Sequence, residues 1–109
     1  MGQVFQAGTA RVDITPPLTI PYLGYEPRHA FFAGVHDPLY ARAVALDDGA
    51  TQVILIAADA IGYNNTILGP ERNFTAEVRR RIQERTGVPA ANILLATTHA
   101  HSTPELSLI

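Results

Sequence analysis

Between Gln52 and Thr97 the sequence passes from an apolar stretch, through an amphipathic helical pattern, into a second apolar stretch, and that order admits few folds. Gln52 to Ala58 is continuously apolar at its centre, the pattern of a strand covered on both faces. Pro70 to Thr86 reads as a helix: Pro70 suits the first turn, Glu71 favours the positively polarised N-terminus, and Gly87 then Pro89 mark the stop. Phe74, Val78 and Ile82 recur every four residues as the stripe to be buried, while Glu77 and Arg81 can pair on the wet side. Asn92 to Thr97 supplies the second apolar strand. Strand, helix, strand at this spacing is a βαβ unit, which predicts parallel neighbours joined by a right-handed crossover.

Two further strands precede that unit. Ala7 to Thr15 has β-branched content and is stopped by Pro16-Pro17, and Tyr40 to Leu46 alternates before the turn Asp47-Asp48-Gly49. The predicted fold class is therefore α/β, a mixed sheet containing a βαβ unit and layered with helices. Between the first two strands, Pro16 to Pro38 holds five of the eight prolines and reads as a long irregular loop. Its rings, Tyr22, Tyr25, Phe31 and Phe32, need a surface to bury against and argue against disorder.

Composition excludes several functions. With 47% hydrophobic and 17% charged residues and a net charge of −2, the chain reads as globular, and its longest apolar run, Val53 to Ala58, is far short of the ~20 residues of a membrane span. Eight basic residues, all arginine and scattered among ten acidic ones, leave no footprint for a nucleic-acid backbone. Without lysine there is no phosphate-binding P-loop; without cysteine there is no disulfide, thiolate metal site or thiol nucleophile. Any metal must sit on His, Asp, Glu or Tyr. Met1 to Gln6 lacks the regions of a signal peptide, so the chain reads as cytosolic or as one whose targeting segment has been removed.

Open α/β sheets hold ligands beyond the carboxyl ends of their strands. Asp59 ends the first strand of the βαβ unit, and Thr97-Thr98-His99-Ala100-His101-Ser102 ends the second. If the strands are neighbours, an acid and two imidazoles share one edge of the sheet. In extended backbone, residues two apart project to the same face, so His99 and His101 have the spacing of a metal-ligand pair, with zinc the best match for imidazole. The same two residues could instead cap a strand end by bonding backbone carbonyls. Asp59 has three roles open to it: orienting a ligating imidazole, binding substrate, or closing a turn after the strand. His36, in Gly34-Val35-His36-Asp37-Pro38, could add another imidazole, although a turn at Asp37-Pro38 also explains that stretch. Asp59 and His36 are the candidate catalytic groups. Nothing assigns a base to the hydroxyl of Thr97 or Ser102, so neither reads as a nucleophile. Gly24, between Leu23 and Tyr25, would let backbone approach a ligand closely.

Taken together, these residues carry a family resemblance. Ala7-Gly8-Thr9-Ala10-Arg11-Val12-Asp13-Ile14-Thr15-Pro16-Pro17, Leu23-Gly24-Tyr25, Gly34-Val35-His36-Asp37-Pro38-Leu39-Tyr40-Ala41-Arg42-Ala43, the strand ending in Asp59, and Thr98-His99-Ala100-His101-Ser102-Thr103-Pro104 occur in that order. The sequence resembles the N-terminal part of the neutral/alkaline non-lysosomal ceramidases. The resemblance implies a zinc-dependent amidohydrolase that cleaves the N-acyl bond of ceramide-like lipids to a sphingoid base and a fatty acid by metal-activated water. It implies Zn2+ on His99 and His101, which match the family's Thr-His-Thr-His-Ser-Gly-Pro motif, and a substrate contact at Gly24.

The resemblance also implies incompleteness. The family's other zinc ligands, a His, a Glu and a Tyr, come from sequence downstream of this stretch. Residues 1–109 are therefore expected to be the N-terminal portion of a larger α/β catalytic domain, inactive alone, with the rest of that domain as partner. Ala100 and Thr103 stand where the motif has Thr and Gly. That departure keeps open a zinc hydrolase of a smaller amide or ester, and the aromatic loop from Tyr22 to Phe32 keeps open a non-catalytic binding fragment that presents it to a partner or, in peripheral contact, to a membrane surface.

Overall fold

The chain's computed structural model describes residues 4–18, 22–23, 34–100 and 102–104. Four strands, β1 (Gln6–Asp13), β3 (Tyr40–Asp47), β4 (Gln52–Ala58) and β5 (Ile93–Thr97), form a sheet in the order β1-β3-β4-β5. Among the described residues the other elements are a short pair, β2 (Tyr22–Leu23) with β6 (Thr103–Pro104), a helix, α1 (Phe74–Thr86), and a 3-10 turn at Ala90–Asn92. The fold is a mixed α/β sheet, as the sequence predicts. Among the described residues no helix is long and apolar enough to cross a membrane.

The β3–β4 hairpin follows from its turn. The Asp47 carboxylate accepts from the Gly49 N–H at 2.7 Å, the Asp48 carboxylate accepts from Ala50 at 2.9 Å and Thr51 at 2.8 Å, and Gly49 takes φ 93°, where a side chain would be strained. These strands pair antiparallel, with Val44 opposite Leu55, whereas β4 and β5 pair in parallel, with Ile54 opposite Ile93 and Ala58 opposite Thr97. The predicted parallel pair and its connecting helix are both present.

The helix starts four residues later than its sequence pattern suggests. The Asn73 side chain accepts the Ala76 N–H at 2.9 Å and so caps the helix, while Asn65 accepts the Thr75 N–H at 3.0 Å. Pro70 and Glu71 consequently lie in a turn before the helix. The anticipated Glu77–Arg81 pair is also replaced. Arg72 donates to both Glu77 oxygens, at 2.6 and 2.8 Å, and holds that carboxyl below its usual range. At the other end, Gly87 takes φ 78° and its N–H returns to the Gln83 carbonyl at 2.8 Å, the left-handed cap expected of glycine.

The core lies between α1 and one face of the sheet. Ile54, Val88 and Ile93 are buried, with Ile56, Ile82 and Leu95 packed around them. Phe74, Val78 and Ile82 face this side but remain half-buried, and Phe74 instead leans on the Tyr63 ring at 5.5 Å. Arg79 ties the helix to β5 by donating to the Ile93 carbonyl at 2.8 Å. The expectation that Gln52 to Ala58 is covered on both faces is not met in this chain. β4 is interior in the sheet, yet Leu55, on the face away from α1, is 41% exposed.

Candidate functional site

Beyond their last residues, β4 and β5 continue side by side. The Thr98 N–H donates to the Ala58 carbonyl at 3.0 Å and the Ala100 N–H to the Ala60 carbonyl at 3.1 Å, so Asp59 and the histidine segment leave the sheet together. Ala60, between the two segments, is 1% exposed. This is the carboxyl-end placement that parallel topology predicts for a ligand site.

His99 is the most constrained side chain there. Its backbone has φ 61°, the only positive value among the described non-glycine residues, a conformation that costs a β-carbon about 1 to 2 kcal/mol. Its Nδ1 lies 2.8 Å from the Ile61 carbonyl oxygen. A carbonyl can only accept, so Nδ1 carries a proton and donates it to Ile61. Metal-ligating imidazoles commonly donate one ring N–H to a backbone carbonyl in this way.

Asp59 has a different occupation. Its Oδ2 accepts the Tyr40 backbone N–H at 2.9 Å and faces the Arg42 guanidinium at 3.4 Å, while its own N–H donates to the Tyr40 carbonyl at 2.9 Å. The residue ties the end of β4 to the start of β3. Arg42 in turn lies 4.9 Å from the Tyr40 ring centroid, with Arg11 at 4.4 Å from the same ring. These contacts extend the β3–β4 pairing by one residue, and they are neither a helix cap nor a turn.

A cavity of about 500 Å³ opens beside these strand ends, lined among others by Thr15, Leu18, His36, Asp59, Ala100 and Thr103. His36 Nδ1 lies 2.8 Å from Asp37 Oδ2, and this hydrogen bond, with the attraction of the carboxylate, raises the imidazole pKa. The His36 side chain is 97% exposed, a solvent-facing rim group. Three of the segments picked out in the sequence, those of His36, Asp59 and the histidine motif, thus meet at one cavity. His101 and Gly24 lie outside the described residues. Among the described residues no three His, Asp or Glu side chains gather as a metal cage. An imidazole such as that of His99 is a donor type that suits zinc.

Two groups that shape the site were not apparent from the sequence. Thr15 Oγ1 accepts the Leu39 N–H at 2.8 Å and fixes one wall, and Thr103, 1% exposed, donates its hydroxyl to the Ala100 carbonyl at 2.9 Å. The β2–β6 pair, with Leu23 opposite Thr103, also joins the irregular loop to the histidine segment.

No family model matches the chain. Curated relatives do: neutral ceramidase of Drosophila pseudoobscura pseudoobscura is 34% identical over 106 residues, covering 92% of this chain and 14% of the relative, and the Drosophila melanogaster protein of the same name gives the same figures. The chain belongs to the neutral ceramidase family. It spans about one-seventh of the length of those ceramidases. Among solved structures, neutral ceramidase from Pseudomonas aeruginosa matches with a TM-score of 0.75 at 24% identity, over 94% of this chain and 16% of that one. A ceramidase structure described as complexed with C2 matches with a TM-score of 0.71. These two likenesses establish that the ceramidase fold holds this sheet and helix.

Proposed function

We propose that this chain forms part of the active site of a zinc-dependent hydrolase that cleaves the N-acyl amide of ceramide-like lipids. The observation that carries the reading is the His99 ring, oriented by its Nδ1–H donating to the Ile61 carbonyl at the carboxyl ends of two parallel strands. The names of the relatives supply the substrate class.

In this reading His99 and His101 hold the ion, with the remaining ligands supplied by other parts of the family's longer chain. Bound zinc supplies Lewis-acid polarisation of the amide carbonyl and acidifies water towards a pKa of about 7. Apart from His36, the residues around the cavity orient rather than react. Ile61 presents the proton acceptor that sets the His99 ring, and Asp59 braces the strand ends through Tyr40. Apolar residues of the cavity wall, Leu18, Val35 and Leu39, offer a surface for an acyl chain, and the exposed His36 imidazole at its rim is the candidate for moving a proton.

The test is zinc content and N-acyl hydrolysis of the protein at its full encoded length, with His99→Ala and His101→Ala. Each variant is expected to lose most of its zinc and at least 100-fold in rate, within the ~10²–10⁴ range that a displaced catalytic group costs. Full zinc occupancy in both variants would remove the assignment.

A further inference from the structure

Arg11 and Arg42 stand directly opposite each other in the β1–β3 pairing, and both are exposed. Like charges in that position repel. One ring serves both, since the Arg11 guanidinium lies 4.4 Å and the Arg42 guanidinium 4.9 Å from the Tyr40 centroid. Arg42 also faces Asp59 Oδ2 at 3.4 Å, a long contact to an oxygen that already accepts the Tyr40 N–H. Among the described residues no carboxylate pairs with Arg11, and Asp13, two positions along the same strand, accepts from the Thr15 N–H instead. Two cations thus share one ring and one carboxylate, with guanidinium donors to spare.

The pair belongs to the face away from α1. Register sets Arg42 opposite Ala57, Ala57 beside Ala96 and Leu55 beside Leu94, so the arginines border an apolar strip on the side of the sheet that has no helix over it. Leu55 is 41% and Leu94 53% exposed, and both alanines are exposed as well. A free anion would answer the arginines and leave the strip in water. A hydrocarbon surface would cover the strip and desolvate the cations without a counter-charge. A second copy would bring the same cationic pair to the contact. A protein segment with aliphatic side chains and a carboxylate answers both halves of the face, because a carboxylate accepts from guanidinium forks. The chain spans 14% of the neutral ceramidases it matches, so most of the family's chain is left to supply such a segment. We propose that this face docks an acidic, aliphatic segment from the part of the family's longer chain outside residues 1–109, with one of its carboxylates held by Arg11 and Arg42. The surface is independent of the zinc reading, since among the described residues neither arginine lines the cavity beside His99.

Residues 1–109 contain no lysine, so a lysine placed at either position keeps the charge and becomes the one side-chain amine of that stretch. The experiment takes Arg11→Lys and Arg42→Lys in the protein at its full encoded length and treats each with a water-soluble carbodiimide, which joins an amine to a carboxylate in contact with it. Peptide mass spectrometry then reads which acid has been joined. The expected result, in at least one variant, is an amide formed within one molecule to an Asp or Glu outside residues 1–109. Links to Asp13 or Asp59 alone, links between two copies, or no link in either variant overturn the proposal. A second measurement needs no substitution. Phenylglyoxal, which is selective for guanidinium groups, should modify Arg11 and Arg42 of the unsubstituted protein at least about tenfold more slowly in the folded state than in urea. Equal rates in the two states would mean that the face is open in the whole protein, and would overturn the docking as well.

Discussion

Ile93 and Leu94 are neighbours in β5, and they live in different environments: Ile93 is 2% exposed and Leu94 is 53% exposed. Alternation along a strand sends the first to the face beneath α1 and the second to the opposite face. On the helix side, Ile93 joins Ile54 and Val88 in the core. Across the sheet, Leu55 pairs with Leu94 in register and both remain open. The difference shows that hydrophobicity alone does not place a residue in the core. The two strands carry apolar side chains on both faces, as parallel strands generally do, yet only the face with a helix over it has become an interior.

The largest effect is expected on the covered face. Ile93→Ala removes buried methyl and methylene groups from a well-packed cluster and should lower stability by about 2 to 5 kcal/mol, read as a shift in the denaturant midpoint with unchanged slope. A cost below about 1 kcal/mol would mean that the helix side is no more of a core than the open side. The next effect lies in what keeps α1 over that face. Asn73→Ala removes the side-chain acceptor for the Ala76 N–H and should cost about 1 kcal/mol, with Asn73→Ser restoring most of it. Loss of helical circular dichroism without loss of sheet signal would separate the helix from the face it covers.

How much of this was legible in the sequence depended on whether neighbouring residues or distant ones decided the outcome. β4 matches its predicted span residue for residue, because its apolar centre and the Asp47-Asp48-Gly49 turn are both local signals. The start of α1 is not a local signal: Pro70 and Glu71 are good first-turn residues, yet the cap is Asn73, and Asn65 accepts the Thr75 N–H from ten positions away. The same divide runs through the site. The topology rule placed Asp59 and the histidine segment together, but the role of Asp59 rests on the Tyr40 N–H, a backbone group without a sequence signature. Thr103 was unreadable for a similar reason, since its partner is a carbonyl and any residue at position 100 would present one. Motif and spacing pointed to the residues; backbone acceptors brought close by folding gave them their work.

The smallest expected effect is the one that sharpens the comparison most. Leu94→Ser in the 109-residue chain replaces an apolar side chain that is already half in water, so its stability should change by less than about 0.5 kcal/mol. The same substitution under a helix would cost several times more, because burial and packing would both be lost. Measuring it at two protein concentrations adds a second axis. A cost that stays small at both concentrations leaves the two faces as different as their exposures indicate. A cost of about 2 kcal/mol that appears only at the higher concentration would show a second copy lying over Leu55 and Leu94, since stabilisation by association follows mass action. The open face would then be an interior too, assembled between molecules, and the contrast between Ile93 and Leu94 would hold for the monomer alone.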